Sequence, residues 1–346
     1  MIEKSLNKKI IKAEVKKHYN LDIDKIEVIN GGNANIYKLT DIHNRKYILK
    51  EFQSKFNSKM ILKEVHVINH LRQKGLPVPE YIPCTNNQNY FEYNGRIIIL
   101  QKYIEGITKD KYTGKIKDLL ESAKYLGLII NALEDYPYDD MFKVNINKFK
   151  SAQDIDESIA KHQALILLAE KDNIYGEAIK RDLIDKINFL NEVKQNQTFQ
   201  AITNITIKKT HGDYNVLQFI YDSNDNIKAI LDFSASGELP IVWEIARSYN
   251  YMDKECKNGK FNTDNLVLYI EEFMKYSSLT KEDLKYLPYI YLIQVLSSTY
   301  GYKQYLNTGD LNMLEFGRER TNICRYLIKN KENISKKLLE ILRKTV

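Results

Sequence analysis

Three short stretches of the sequence carry side chains that a phosphoryl transfer would use: His211-Gly212-Asp213, Gln218 and Asp232-Phe233. Moving a terminal phosphoryl group onto a hydroxyl needs a carboxylate to orient or deprotonate the attacking oxygen. It also needs oxygen ligands that hold magnesium against the nucleotide phosphates. A loop carrying Asp213, an oxygen ligand at Gln218 and an Asp at the end of the next hairpin supply both. Gln218 and Asp232 are 14 residues apart, but the segment between them reads as a hairpin. Residues 217–221 form one strand, 223–226 the turn and 227–232 the return, which folds Asp232 back beside Gln218. Taken singly, Asp213 reads equally as a turn cap and Asp232 as the end of a strand. Their order and context together point to chemistry.

The elements that must position these residues follow from the pattern around them. Residues 24–52 read as three strands separated by turn-forming segments. The first turn, Gly31-Gly32-Asn33-Ala34-Asn35, can bring backbone N–H groups over phosphates, since Gly and Asn tolerate positive φ; it also reads as an ordinary hairpin turn. Lys50 lies on the third strand. Residues 57–74 read as a helix with Met60, Ile61, Val65, Ile68 and Leu71 on one face and Glu64 among them. The Pro-containing stretch 76–83 breaks it, and a hairpin follows across Asn94-Gly95, a pair that suits a two-residue turn. The first hundred residues therefore predict a sheet of about five strands with one helix inserted after the third. Residues 113–195 and 240–345 carry helical patterns around a β-rich island at 201–233. The expected class is α+β: a small N-terminal antiparallel-sheet lobe over 1–102 and a large, mainly helical lobe over 103–346.

The stretch from Thr210 to Tyr249, THGDYNVLQFIYDSNDNIKAILDFSASGELPIVWEIARSY, resembles the catalytic core of the aminoglycoside phosphotransferase and choline-kinase-like family. The resemblance implies a two-lobed protein-kinase-like fold. It implies that Asp213 is the catalytic base, that Asp232 binds Mg2+ and that His211 supports the loop. Trp243, Glu244 and Arg247 match a family helix whose acid braces the catalytic loop, so Glu244 is expected to be structural. Gln218 stands where the family has an Asn metal ligand; its carbonyl is equivalent but one methylene further out. In the N-terminal lobe the resemblance makes Lys50 the partner of the α- and β-phosphates and Glu64 its ion-pair partner. Gly31, Gly32, Asn33 and Asn35 would lie over the nucleotide, and the segment with Gln101 and Tyr103 would offer backbone groups to the base. The implied cofactors are ATP, with GTP as an alternative, and Mg2+. The implied partner is a small-molecule hydroxyl acceptor. Homoserine kinases, methylthioribose kinases and spore-coat-associated kinase-like proteins belong to the same family, and no motif selects among them. The substitution at Gln218 also keeps open a kinase-like binding or scaffold protein with weak or no catalysis.

Composition excludes several other classes. The chain has 346 residues, 43% hydrophobic and 28% charged, with a net charge of +7, a globular balance with room for two lobes. The basic residues are spread along the chain; the densest run, Lys4 to Lys17, alternates with Ile10, Ile11, Ala13 and Val15 and reads as a surface helix. No nucleic-acid reader motif accompanies the charge, and no nucleic-acid partner is expected. Three widely spaced cysteines, Cys84, Cys256 and Cys324, suit neither a disulfide framework nor a zinc site. No apolar run approaches the length that spans a bilayer, so a cytoplasmic protein without membrane partners is expected. Acidic residues gather at Glu134, Asp135, Asp139 and Asp140 and at Asp154, Asp156 and Glu157. They read as a solvated face, with a wall for a cationic acceptor as the alternative.

Overall fold

A computed structural model of the chain describes residues 6–29, 34–54, 56–137 and 141–344. Along the sequence the elements run α1 (Lys8–Tyr19), β1 (Ile23–Ile29), β2 (Ala34–Asp41), β3 (Lys46–Phe52), α2 (Ser58–Gln73), β4 (Tyr81–Ile82), β5 (Phe91–Tyr93) and β6 (Arg96–Lys102). They continue with α3 (Ile116–Ala132), β7 (Phe142–Lys143), α4 (Ile146–Lys150), α5 (Ala152–Ala169), α6 (Gly176–Gln195), α7 (Gln197–Gln200), β8 (Ile207–Thr210), β9 (Phe219–Tyr221), β10 (Ile227–Ile230) and β11 (Gly237–Pro240). The last are α8 (Ile241–Met252), α9 (Thr263–Phe273), α10 (Lys281–Ser297), α11 (Tyr300–Thr308), α12 (Leu311–Leu339) and α13 (Ile341–Lys344). The mixed α+β class, with an antiparallel sheet first and helices after it, is as the sequence predicts. Among the described residues no helix is long and apolar enough to cross a membrane.

The chain forms two compact units. The first comprises residues 1–108, 135–141 and 218–236; the second comprises 109–134, 142–217 and 237–346. A division by element type at 102/103 and a division by contacts answer different questions, because the hairpin of β9 and β10 belongs to the first unit.

In the first unit the sheet runs β1-β2-β3-β6-β4, with β5 also on β6, all antiparallel. The Asn94-Gly95 turn has φ of 48° and 69°, the doubly positive pair that a tight hairpin requires. One sheet face, with Tyr37, Leu39, Leu49 and Leu100, packs on Ile11, Val15 and Tyr19 of α1. These three helix residues recur every four positions, so the lysine-rich segment buries one apolar stripe and leaves its charges outward. Strand alternation then puts Lys50, beside Ile36 and Ile99 in the ladder, on the other face. Strand β4 is a sixth strand that the sequence conceals: it has two residues, set among three prolines, and Tyr81 and Ile82 pair with Gln101 and Leu100 of β6.

In the second unit α10 is buried on almost every side, by Leu284, Leu287, Ile290 and Ile293 among others, and packs on α8 and α12. Within the helical pattern expected over 113–195, the last part is two helices, α5 and α6. The chain turns between them at Asp172, whose carboxylate accepts the N–H groups of Ile174 and Tyr175 at 2.9 and 2.8 Å. A small sheet of β7, β11 and β8 stands at the start of α8. Strand β11, Gly-Glu-Leu-Pro, has neither alternation nor β-branched residues to announce it.

Candidate active site

In the first unit, Lys50 Nζ lies 3.6 Å from Glu64 Oε1, and the Glu64 carboxylate is 1% exposed. Tyr81 closes this group: its hydroxyl donates to Glu64 Oε1 at 2.7 Å, and Lys50 Nζ stands 5.9 Å from its ring centre. Burial, then the Glu64 carboxylate, and more weakly Asp232, push the Tyr81 phenol well above its ordinary value. Lys50 is thus held by one carboxylate in a dry setting, where its charge is little screened.

The hairpin supplies the other half of this unit's chemistry. The Gln218 backbone carbonyl accepts the N–H of Leu231 at 2.8 Å, and Phe219 pairs with Ile230. Gln218 therefore sits opposite the residue that precedes Asp232, the juxtaposition the hairpin predicts. Strand β9 starts at Phe219 rather than at Leu217, because residues 216–218 wind into a 3-10 turn. Asp232 has φ 61° and ψ 69°, a left-handed conformation uncommon for a residue with a side chain. It opens a short turn, Phe233–Ala235, and accepts the Ser234 hydroxyl at Oδ1 at 2.6 Å. The following Ser236 carbonyl accepts Lys63 Nζ of α2 at 2.9 Å, which ties this turn to the helix that carries Glu64.

Gly31, Gly32 and Asn33 lie outside the described residues. Asn35 lies on the sheet face opposite Lys50: it pairs with Glu51 in the ladder, and its Nδ2 donates to Glu51 Oε2 at 2.9 Å. Tyr37 and Arg96 meet the same buried carboxylate at 3.0 and 3.3 Å. Gln101 is buried in β6, and the Tyr103 N–H is committed to the Lys46 carbonyl at 3.1 Å.

In the second unit the loop after β8 is organised by one buried carboxylate, Glu244, in the first turn of α8. Its Oε2 accepts the Thr210 hydroxyl and the Gly212 N–H, both at 2.7 Å, and its Oε1 accepts the Tyr214 N–H at 2.8 Å. Gly212 has φ 84°, which glycine adopts without strain, and the turn it makes aims two N–H groups at one side chain. The buried His211 contributes Nδ1, 3.2 Å from the Asp213 N–H, and packs edge-on against Tyr214. Asn215 donates to the Asp213 carbonyl at 2.7 Å and accepts the Leu217 N–H at 3.0 Å. Every neighbour of Asp213 in the loop is fixed, while its own side chain remains 32% exposed. That carboxylate forms an ion pair with Arg247, one turn beyond Glu244 on α8. Burial works against the Arg247 charge, yet Asp213, with Tyr251 and Glu244 behind it, holds its pKa above the ordinary guanidinium value.

Sequence reasoning did not anticipate Tyr81, Ser234 or the pairing of Asp213 with Arg247. Tyr81 had no signal beyond a lone aromatic among prolines, and the pairing joins residues 34 positions apart. Most members of the acidic clusters are paired. Glu134 pairs with Lys208 at 2.5 Å, Asp135 with Lys74 and His70, and Asp156 with Lys194 at 2.7 Å. Asp154 accepts from Ser151 and Glu157 from Gln153, while Asp139 and Asp140 lie outside the described residues.

Residues 25–258 match the APH family, described as a phosphotransferase enzyme family. No curated protein matches the chain. Among solved structures, an amicoumacin kinase in complex with AMP-PNP, Ca2+ and Ami is 15% identical, with 95% of this chain and 94% of that one covered and a TM-score of 0.64. A microcompartment-associated aminopropanol kinase is 12% identical over 94% of this chain and 98% of its own, with a TM-score of 0.60. A Plasmodium vivax ethanolamine kinase is 16% identical over 95% and 86%, with a TM-score of 0.54. At these identities the likeness is one of fold. The family match spans more than half of the sequence and contains Lys50, Glu64, Asp213, Gln218, Asp232 and Glu244: the chain belongs to the APH family of phosphotransferase enzymes.

Proposed function

We propose that the protein is a small-molecule kinase that moves the γ-phosphoryl group of ATP, or of GTP, to a hydroxyl of a small acceptor, with Asp213 as the base. The observation that carries this reading is the bracing of the 210–217 loop by Glu244, which leaves the Asp213 carboxylate accessible on an otherwise immobilised turn. Phosphoryl transfer has a loose transition state, so the main contribution of such a carboxylate is to orient the hydroxyl and then receive its proton. Lys50, held by Glu64, would meet the α- and β-phosphates; the binding of AMP-PNP by the amicoumacin kinase supports a nucleotide at this fold. Hard oxygen donors suit magnesium, and the backbone pairing of Gln218 with Leu231 across the hairpin supports Asp232 as a charged donor with the Gln218 amide as a second. These two residues would hold Mg2+, which when bound neutralises charge on the phosphate oxygens. Gly31, Gly32, Asn33, Gln101 and Tyr103 complete the proposed nucleotide site; Asn35, expected there from the resemblance, has its side chain on the other face of the sheet, held by Glu51. Three buried free cysteines support a reducing, cytoplasmic setting.

The pairing of Asp213 with Arg247 favours a second reading, a kinase-like binding protein with little catalysis, because a base tied to a guanidinium is a weaker proton acceptor. One experiment separates the two. Mg2+-dependent ADP release is measured across a panel of hydroxyl acceptors, with Asp213→Asn in parallel. The kinase reading expects kcat to fall by roughly 10²–10⁴, the range for a positioned acid or base, with ATP affinity and melting temperature unchanged. Nucleotide binding with no acceptor-dependent turnover anywhere in the panel, or equal turnover in Asp213→Asn, would establish the binding protein instead.

A further inference from the structure

The sheet of the first unit carries Tyr81 into the group around Lys50. Lys50 of β3 pairs with Ile99 of β6, and Tyr81 of β4 pairs with Gln101 of β6. Residues paired across an antiparallel ladder point to the same face, and so do residues two apart on one strand. Lys50, Ile99, Gln101 and Tyr81 therefore share a face, and Tyr81 reaches Glu64 of α2 from the far side of β6. Its backbone is held on both sides. Pro77, Pro79 and Pro83 restrict φ around it, and the Lys102 N–H donates to the Glu80 carbonyl at 2.9 Å. Tyr81 is 7% exposed, so packing fixes its ring as well.

Two contacts join Tyr81 to the ion pair. Its hydroxyl donates to Glu64 Oε1 at 2.7 Å, and the same oxygen faces Lys50 Nζ at 3.6 Å. Its ring centre is 5.9 Å from that ammonium, within the range of a cation–π contact. A separation of 3.6 Å is too long for a hydrogen bond, and among the described residues Lys50 Nζ makes none. The Lys50 side chain is 15% exposed against 1% for Glu64, so the cation is the more open member of the pair. We propose that Tyr81 is a positioning residue for Lys50. Its phenol shares the Glu64 oxygen, so the ammonium is held by charge and by the ring face without spending a donor. The Lys50 N–H groups then stay available to the phosphate oxygens of a nucleotide. The inference rests on the reading of Lys50 as the lysine that meets the α- and β-phosphates. Burial and the Glu64 carboxylate keep the phenol protonated, so it remains a donor at neutral pH. Without the hydroxyl, Oε1 is left to Lys50 alone. In a dry setting the opposite charges attract strongly, so the ammonium closes to hydrogen-bond distance and one of its donors is lost to Glu64.

The test is Mg2+-ATP binding to the full chain by calorimetry, which needs no acceptor, with the melting temperature recorded for every variant. Tyr81→Phe keeps the ring beside Lys50 and removes only the hydroxyl. Lys50→Met removes the cation, and Glu64→Gln removes the charge that holds it; each is combined with Tyr81→Phe to close a double-mutant cycle. ATP affinity should fall about tenfold in Tyr81→Phe, the size of one hydrogen bond. The same substitution should cost less than about twofold in the Lys50→Met and Glu64→Gln backgrounds, because the link it acts through is already cut. A merely structural role for the hydroxyl lowers affinity equally in all backgrounds, and that result overturns the proposal. An unchanged or tighter Kd in Tyr81→Phe overturns it as well. Glu64→Gln alone reads the same link should Tyr81→Phe not fold: ATP affinity should fall, and parental affinity there overturns the proposal. ADP release across the acceptor panel is scored separately. The expected binding pattern without turnover leaves the role of Tyr81 standing and counts against the kinase reading. Parental turnover and parental Kd in Tyr81→Phe overturn the role of Tyr81 and leave the kinase reading intact. A parental chain with no saturable ATP binding overturns both.

Discussion

Replacing Glu244 by Gln would isolate the charge of the brace from its shape. The carboxylate takes three donors, two on Oε2 and one on Oε1. A Gln amide oriented to keep Thr210 and Gly212 on its oxygen turns its NH2 toward the Tyr214 N–H, and two donors then face each other. A buried N–H left unmet costs about 1–3 kcal/mol. The two surviving bonds pass from charge-assisted to neutral acceptors, which adds about 1 kcal/mol. The sum is about 2–4 kcal/mol, or roughly 4–16 °C in the melting temperature for a body the size of the second unit. Displacement of Asp213 by about 1 Å would lower kcat by about 10²-fold. Nucleotide affinity should not move, because Lys50 and Asp232, the residues proposed for the phosphates and the metal, belong to the first unit and Glu244 to the second. Scanning calorimetry and ADP release on the same preparation read both effects. Parental melting temperature and parental turnover in Glu244→Gln would refute the idea that this carboxylate organises the loop.

Lys50→Ala should weaken ATP binding, as titrated by calorimetry, because the cation proposed to face the phosphates is gone; unchanged affinity would remove Lys50 from the site. Asp232→Ala should abolish the Mg2+-dependence of nucleotide binding, whereas Gln218→Asn should keep or raise activity by restoring the shorter amide. If Gln218→Asn is as inactive as Gln218→Ala, the loop is built around the longer side chain. His162 is fully buried, and burial, with the Lys186 cation beside it, pulls its imidazole from 6.5 down to about 4. The folded pKa lies below the unfolded one, so the unfolded chain takes up the proton first as pH falls. Stability present at neutral pH should therefore be lost progressively between pH 6.5 and 4, by about 3 kcal/mol in total. Denaturant melts across that window measure it, and His162→Gln should flatten the dependence.

The hairpin that returns Asp232 to Gln218 was legible because it rests on local pattern, a turn signal between two strand runs; the Lys50–Glu64 pair and the brace at Glu244 were expected only through the family resemblance, since their partners lie 14 to 34 positions apart. What escaped was built from long-range pairing. Strand β4 has two residues and exists only because β6 offers an edge; β11 is a Gly-to-Pro tetrapeptide held between β7 and β8. The side of the sheet on which Asn35 lies follows from register, which a one-residue slip would invert. The acidic clusters drew attention as charges, but their lysine and histidine partners come from elements 38 to 74 residues away.

The discontinuity of the first unit bears on how this gene can be recombined. Asp213 and Gln218 are five codons apart, yet they belong to different units. Fusing residues 1–108 to the remainder of a relative would replace the hairpin whose Ile230 N–H reaches the Pro77 carbonyl at 2.8 Å and whose Tyr221 bridges Ile107. The chimera would inherit the carboxylate proposed for the metal from one parent and the backbone that seats it from the other. A graft that preserves this seat must carry residues 218–236 together with 1–108, an exchange of two separate segments. Shuffling at any single crossover point is accordingly expected to yield inactive hybrids more often than exchange of that segment pair.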